Sequence, residues 1–415
     1  MKRLLTYILL LSGISLSSCV QDKIPLVSLG IEDVYFTARM QAVALRPAFT
    51  GESYQWTMHL DDGRDSLLST EKDYIFIQTY PGVYNLRFEI TDPVNPVDQE
   101  VTFIVMEETV EYDAYISRVL EYRPAPGQFV NGMPEYEEGD TEETMRQKAE
   151  AYLKGSYNNS LISLGAYGGY VTFAFDHTVM NEPGKRDFEI YGNSFYATGN
   201  EEERAGSSEP GIVMVAFDWN QNGVPDENEW YELAGSEYYK PETTKHYEIT
   251  YYKPDENKEP VLDPDYEYYS DITYIPWADN QNETGYVIKN IYHDQSYWPK
   301  WINADKMTFK GTRLADNYYD ASGNGTMYIQ RAYDWGYADC HPNGLSDEDG
   351  NPINSFDIGW AVDKLGNKVY LPGVDFIRVY TGVNQYCGWL GETSTEISKA
   401  RDLHINKSAV TPSRK

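Results

Sequence analysis

The sequence predicts a mainly β protein: a small immunoglobulin-like sandwich, then one short helix, then a larger jelly-roll-like β-sandwich. Three observations carry this expectation. Short segments of alternating polarity recur along the chain between Gly, Pro, Asn and Asp turns, the period-two mark of half-buried strands. Thr141 to Lys154 is the one convincing helical stretch after the N-terminal segment. No self-similarity at a period of roughly 20–50 residues is visible, which argues against a propeller or solenoid.

The N-terminus comes first. Lys2 and Arg3 precede the apolar run Leu4 to Leu11, and Leu16-Ser17-Ser18-Cys19 follows. A charged start and a short apolar core make residues 1–18 a secretory signal, since a spanning helix needs about 20 apolar residues. The Leu-Ser-Ser-Cys ending resembles a bacterial lipobox, which implies lipidation of Cys19 and a membrane tether through the linker 19–27.

Residues 28–108 form the expected small sandwich. Ser53 to Met58, Tyr74 to Ile77, Val83 to Ile90 and Glu100 to Val105 read as strands, with Asp61-Asp62-Gly63 and Pro81-Gly82 as turns and Trp56 at the core. No chemistry clusters in this stretch, so its expected role is that of a spacer. Residues 109–160 form an acidic connector ending in the helix, for which Asp140 is the expected cap and Glu143 its capping-box partner.

From 161 to 405 the reading is β throughout. Tyr170 to Asp176, Asp187 to Asn193, Gly211 to Phe217, Tyr247 to Tyr252, Met307 to Lys310, Thr326 to Tyr333, Phe356 to Val362 and Phe376 to Tyr380 are the expected strands. Lys253 to Tyr269 and Pro276 to Pro299 are expected as loops at the rim, and the tail 406–415 as disordered.

Lys plus Arg number 34 and Asp plus Glu 65, a net charge of −31. Such a field repels nucleic acid and favours divalent cations. With Cys19 set aside, Cys340 and Cys387 can form one disulfide or remain two buried thiols, and the sequence leaves both open.

One loop carries a metal-site pattern. Asp218, Asn220, Asn222, Gly223, Asp226 and Glu229 stand at positions 1, 3, 5, 6, 9 and 12 of a calcium loop, and Val224 offers its carbonyl at position 7. Strand-like sequence flanks it, so we expect a structural calcium brace on a β-scaffold rather than a sensor. The stretch Asp320 to Gly325 resembles it but has Arg331 where the closing Glu belongs, and reads as a turn.

A ligand surface is expected at the aromatic stretch around Tyr292, Tyr297, Trp298 and Trp301, joined by Trp389; flat rings beside polar groups suit a sugar or a corrinoid. The competing expectation is that these rings pack loops onto the sandwich. No catalytic residue is assigned: the six His make no HxxxH spacing, and no GxSxG elbow or P-loop is present.

The Trp56 strand, Pro81 to Tyr84 and Thr91-Asp92 resemble a PKD-like domain, and Ser163 to Asp176, Asp187 to Asn193, Asp218 to Glu229, Phe356 to Asp363 and Val379 to Gln385 with Gly388 to Glu396 resemble the β-rich region that follows it in Bacteroidetes cell-surface lipoproteins. The resemblance implies capture of a ligand outside the cell beside a TonB-dependent transporter, of which some carry corrinoids. With the Leu-Ser-Ser-Cys ending, the aromatic stretch and the missing catalytic motifs, we expect an outer-membrane, lipid-anchored protein that captures a corrinoid or glycan without catalysis. The rival readings are an enzyme acting on surface glycans and a purely structural or adhesive protein.

Overall fold

The computed structural model describes residues 29–405 except 61–62, 92–96, 157–159 and 183. The signal, Cys19, the Asp61-Asp62 turn and the tail fall outside the described residues. Within them, no helix is long and apolar enough to cross a membrane.

Residue contacts divide the chain into two units. One holds residues up to Tyr35 with Ala44–Tyr74 and Val83–Phe103; the other holds Phe36–Val43, Ile75–Gly82 and everything from Ile104. Most of a five-stranded sheet falls in the first, in the order Val34–Ala38, Val97–Met106, Gly82–Thr91, Ser53–His59, Asp65–Ser69. Its alternating residues Leu86, Phe88 and Ile90 point inward with Val101 and Phe103. Trp56 is fully buried there, 4.3 Å from Phe88 and 5.5 Å from Tyr74 between ring centroids.

The second unit is built on a six-stranded antiparallel sheet ordered Ala361–Val362, Trp230–Leu233, Gly211–Ala216, Phe376–Thr381, Tyr170–Ala174, Arg118–Arg123. Gly211–Ala216 sits inside it because its apolar, β-branched run tolerates burial on both faces. A four-stranded antiparallel sheet, Thr284–Asn290, Tyr269–Asp279, Thr244–Tyr252, Lys306–Arg313, shares a core with it. Tyr167, Tyr247, Tyr251, Phe309 and Tyr380 fill that core. Their hydroxyls are satisfied where backbone is near: Tyr251 donates to the Tyr167 carbonyl at 3.2 Å, and Tyr380 accepts from Thr312 N at 2.9 Å. Gly168 has φ +86° and lies so close to Phe309 that a Cβ there would come within 2.3 Å of it. The mainly β, sandwich-like expectation is met.

Three local readings are corrected. The supposed connector contains the edge strand Arg118–Arg123, in which a break in register at Leu120 separates the two buried residues, Val119 and Tyr122, amid its charge. The supposed rim loop Pro276 to Pro299 holds a hairpin, Tyr269–Asp279 with Thr284–Asn290. Asp279 Oδ1 makes its turn by accepting from Gln281 N and Glu283 N, a cue hidden among the acidic residues. The helix spans Glu142–Leu153 and is capped by Thr141 with Thr144, not by Asp140 with Glu143. Asp140 instead accepts from Lys148 at 2.7 Å and Thr144 Oγ1 at 2.9 Å. Met145, Ala149 and Leu153, one helical face, are buried, and Glu150 accepts from Val119 N at 3.0 Å, tying helix to edge strand. Cys340 and Cys387 are both buried free thiols.

Candidate functional site

Two turns and a hairpin tip frame an aromatic cleft of about 460 Å³, lined by Tyr268, Tyr292, Gly325, Thr326 and Trp389. Tyr292 follows the strand Thr284–Asn290, and Trp389 lies in the 3₁₀ turn Gly388–Leu390. They are 62% and 39% exposed, with ring centroids 6.4 Å apart and planes at 77°. One wall can stack on a flat face while the other meets its edge. Tyr268 belongs to a cluster with Tyr266 and Tyr269 at 5.3 and 4.5 Å, and donates to Gly325 O at 3.3 Å. Gly325 has φ +79°, and a Cβ there would meet the Tyr266 ring at 2.4 Å, so backbone alone can close that wall.

The hairpin tip owes its shape to Asp320. Its carboxylate accepts from Ser322 N at 3.0 Å and Gly325 N at 2.6 Å, holding Gly325 and Thr326 on the cleft. This is the turn expected at Asp320 to Gly325.

Beneath the exposed rings lies a buried polar network. Asn290 Oδ1 accepts from Tyr292 N and His293 N, both at 3.0 Å, which fixes the turn carrying Tyr292. Gln128 accepts from Asn290 Nδ2 at 3.1 Å and donates through Nε2 to Leu390 O at 2.7 Å, linking the Tyr292 turn to the Trp389 turn. Glu392 Oε1 accepts from Gln128 N at 2.6 Å, while its Oε2 is buried without a partner. Burial pushes the Glu392 carboxyl up to about 8, so it is neutral at physiological pH. Two exposed rings from distant parts of the chain are thereby held on one rigid frame.

Of the five aromatic residues expected at a ligand, only Tyr292 and Trp389 face this cleft. Tyr297, Trp298 and Trp301 are 0%, 3% and 6% exposed, which corrects their assignment: a covered ring has no face to offer. Tyr297 packs edge-on to Tyr274 at 5.4 Å and donates to His293 O at 3.0 Å. Trp301 stacks between Tyr122 and Tyr136 at 6.0 and 6.2 Å. Tyr268 and Thr326 complete the cleft and Gln128, Asn290 and Glu392 support it; sequence reasoning did not assign these five a role at the site. Tyr268 stood in the expected rim loop Lys253 to Tyr269, but nothing in sequence spacing brings Gln128 to Leu390.

The calcium-loop residues lie between the strands Gly211–Ala216 and Trp230–Leu233, with a 3₁₀ turn at Glu227–Glu229. Asp218 accepts from Asn222 N at 2.9 Å and Gly223 N at 2.7 Å; Gly223, at φ +80°, makes the sharp bend. Buried Glu229 accepts from Trp219 N and Asp226 N, each at 3.0 Å. Asp226 Oδ2 takes the side-chain amides of Asn220 and Asn222 at 2.6 and 3.0 Å, and Asn222 Oδ1 accepts from Val224 N at 2.8 Å. The donor set is all oxygen, fitting a hard cation, yet these bonds also satisfy the loop by themselves. Asp375, far off in sequence, accepts from Asp218 N at 2.8 Å and ties the loop to the main sheet.

A second acidic group is buried elsewhere. Carboxylate oxygens of Glu209, Asp339 and Glu396 lie within 4.8 Å of one another. Asp339 accepts from Asn193 N, Ser194 N and Glu396 N at 2.8–2.9 Å; burial raises all three pKa values, neighbouring carboxylates raise those of Glu209 and Asp339 further, and Glu396 comes to about 7. None of the three lines the aromatic cleft. Burial favours the neutral form of these carboxyls, Glu396 Oε1 is left without a hydrogen-bond partner, and the cluster reads as a neutralised core element.

No family model matches the chain, and no curated protein matches it. Among solved structures, a SusE-like protein is similar over 88% of this chain and 94% of that one, at 9% identity and a TM-score of 0.27. A chain from work on carbohydrate-binding modules of promiscuous specificity in the β-sandwich superfamily is similar over 87% and 91%, at 8% identity and a TM-score of 0.14. Neither likeness is close enough to transfer a role.

Proposed function

We propose that the protein is a non-catalytic glycan-binding protein whose binding site is the aromatic cleft. The observation that carries this is the perpendicular pair Tyr292 and Trp389, large exposed rings that a buried polar network holds in place. Exposed rings so rigidly set offer stacking area at little entropic cost, which is what recognition of sugar faces needs. A cleft of about 460 Å³ sits at the modest end of ligand sites and suits a few sugar rings better than a corrin macrocycle.

Two further parts of the proposal rest on sequence. The Leu16 to Cys19 segment supports lipid anchoring, and the family resemblance supports an outer-membrane surface setting where bound ligand passes to a TonB-dependent transporter. Calcium held by Asp218, Asn220, Asn222, Val224, Asp226 and Glu229 would brace the sheet edge and would take no part in ligand contact.

Calorimetry of the protein lacking residues 1–18 against a glycan panel and cyanocobalamin tests the reading. A bound glycan should lose roughly fivefold or more in affinity in Trp389→Ala, as in Tyr292→Ala, since each ring supplies about 1 kcal/mol or more of stacking. Binding of cyanocobalamin alone would replace the glycan with a corrinoid; no binding to either, or affinity indifferent to both substitutions, would remove the cleft from consideration. Release of reducing sugar would favour the enzymatic reading.

A further inference from the structure

The hairpin whose tip closes the aromatic cleft also forms, at its base, the wall of a second cavity. Its strands Tyr318–Asp320 and Tyr328–Arg331 pair antiparallel, Tyr318 opposite Gln330 and Asp320 opposite Tyr328. The tip gives Gly325 and Thr326 to the cleft. The base gives Asp316, Tyr318, Arg331 and Asp334 to a cavity of about 350 Å³, which Glu237 and Lys240 complete.

Rings connect the two. The Tyr268 hydroxyl of the cleft neighbours that of Tyr328, close enough for each to act on the other's titration. Tyr328 lies 6.3 Å from Tyr318, a ring 37% exposed and part of the second cavity. The turn bearing Trp389 rests on the same Tyr328 ring, since a Cβ on Gly388 would come within 1.9 Å of it. The hairpin strand that leads from the base toward the tip is three residues long, about 10 Å, a length on the scale of a disaccharide.

The two ends differ in chemistry. The cleft is walled by rings; the base cavity is lined by charged groups that are already paired. Lys240 meets Glu237 at 2.9 Å and Arg331 meets Glu203 at 3.2 Å, Arg204 pairs with Asp334, and Arg313 meets Asp316 at 3.3 Å. Paired charges present donors and acceptors without net attraction for an ion, the environment that hydroxyl groups of a neutral sugar satisfy.

We infer that the ligand is a neutral oligosaccharide chain rather than a single sugar, and that it runs along the hairpin from the aromatic cleft to a second, hydroxyl-binding subsite at Tyr318, Arg331 and Lys240. This rests on the reading of the cleft as a glycan site and specifies the length and charge of what it takes.

The test is calorimetry with malto-, cello-, xylo- and manno-oligosaccharides from monosaccharide to hexasaccharide. For the series that binds, affinity should climb by about tenfold from disaccharide to hexasaccharide, roughly 1.4 kcal/mol. Tyr318→Ala and, independently, Lys240→Ala should flatten that climb, whereas Trp389→Ala should lower affinity at every length. Both substituted side chains are at least partly exposed, and a thermal melt matching the wild type will confirm folding. Affinity that is flat beyond the disaccharide, or that climbs unchanged in both variants, overturns the second subsite while leaving the cleft intact. If Trp389→Ala has no effect at any length, or no series binds, the cleft reading fails and the subsite falls with it.

Discussion

Trp389 and Trp298 show how far a single residue can be read. Both are tryptophans in aromatic, turn-rich sequence, and the expectation of ligand contact covered both. One is 39% exposed and the other 3%: the backbone of Trp298 is tied inward by its own carbonyl, which accepts from Asn131 Nδ2 at 3.0 Å, whereas Trp389 sits in a turn that stands on Tyr328. Composition announces rings; only tertiary packing says which face water. Glu392 was legible only as one carboxylate among many. Its isolation under the cleft makes a prediction with a definite sign. The folded pKa, about 8, is above the unfolded value of 4.5, so the proton's contribution to stability is complete below about 4.5 and is lost as pH rises through about 8. Each pH unit in that window costs about 1.4 kcal/mol relative to a variant that cannot titrate. Glu392→Gln keeps an acceptor for Gln128 N and removes the proton. Its melting midpoint should match the wild type near pH 4.5 and exceed it increasingly toward pH 8. Parallel curves across that range would show that Glu392 does not titrate there.

Elements were more legible than residues, and the misses share a cause. Strands with apolar alternation, such as Gly211–Ala216 and Phe376–Thr381, were placed within a residue or two because their burial is written in their side chains. Arg118–Arg123 and Thr284–Asn290 were missed because each buries only two residues and most of the rest are charged or hydroxyl-bearing residues at a sheet edge. The loop Asp218 to Glu229 was legible as spacing, since its oxygen-bearing residues are local, but the structure adds Asp375, which no spacing rule reaches. If calcium occupies the loop, it stabilises the folded state by mass action, about 2.7 kcal/mol at a hundredfold excess over Kd. In a unit of this size that amounts to several degrees in the melting midpoint. Chelator should lower the wild-type midpoint by that amount and leave Asp218→Ala/Glu229→Ala unmoved. A wild-type midpoint indifferent to chelator would leave the loop as a hydrogen-bonded turn and nothing more.

At the scale of the whole molecule the governing fact is charge. A net −31 over 415 residues sets a field that reaches a ligand before any side chain does. Neither candidate subsite opposes that field with a free cation: the cleft is ring-lined, and Lys240 and Arg331 are each paired with a carboxylate. A neutral oligosaccharide feels no net force, so its affinity should stay within about twofold from ~0.05 to ~0.5 M salt. An anionic glycan such as polygalacturonate faces repulsion that salt screens, because the Debye length shrinks from about 10 Å at 0.1 M to about 3 Å at 1 M. Any binding it shows should strengthen as salt is added. Titrations of a neutral and an anionic glycan across that salt range separate the cases. Anionic binding that weakens with salt would mean that the local guanidinium and ammonium groups outweigh the global field, and the ligand would then be an acidic glycan held through Arg331 and Lys240 rather than a neutral chain held by stacking.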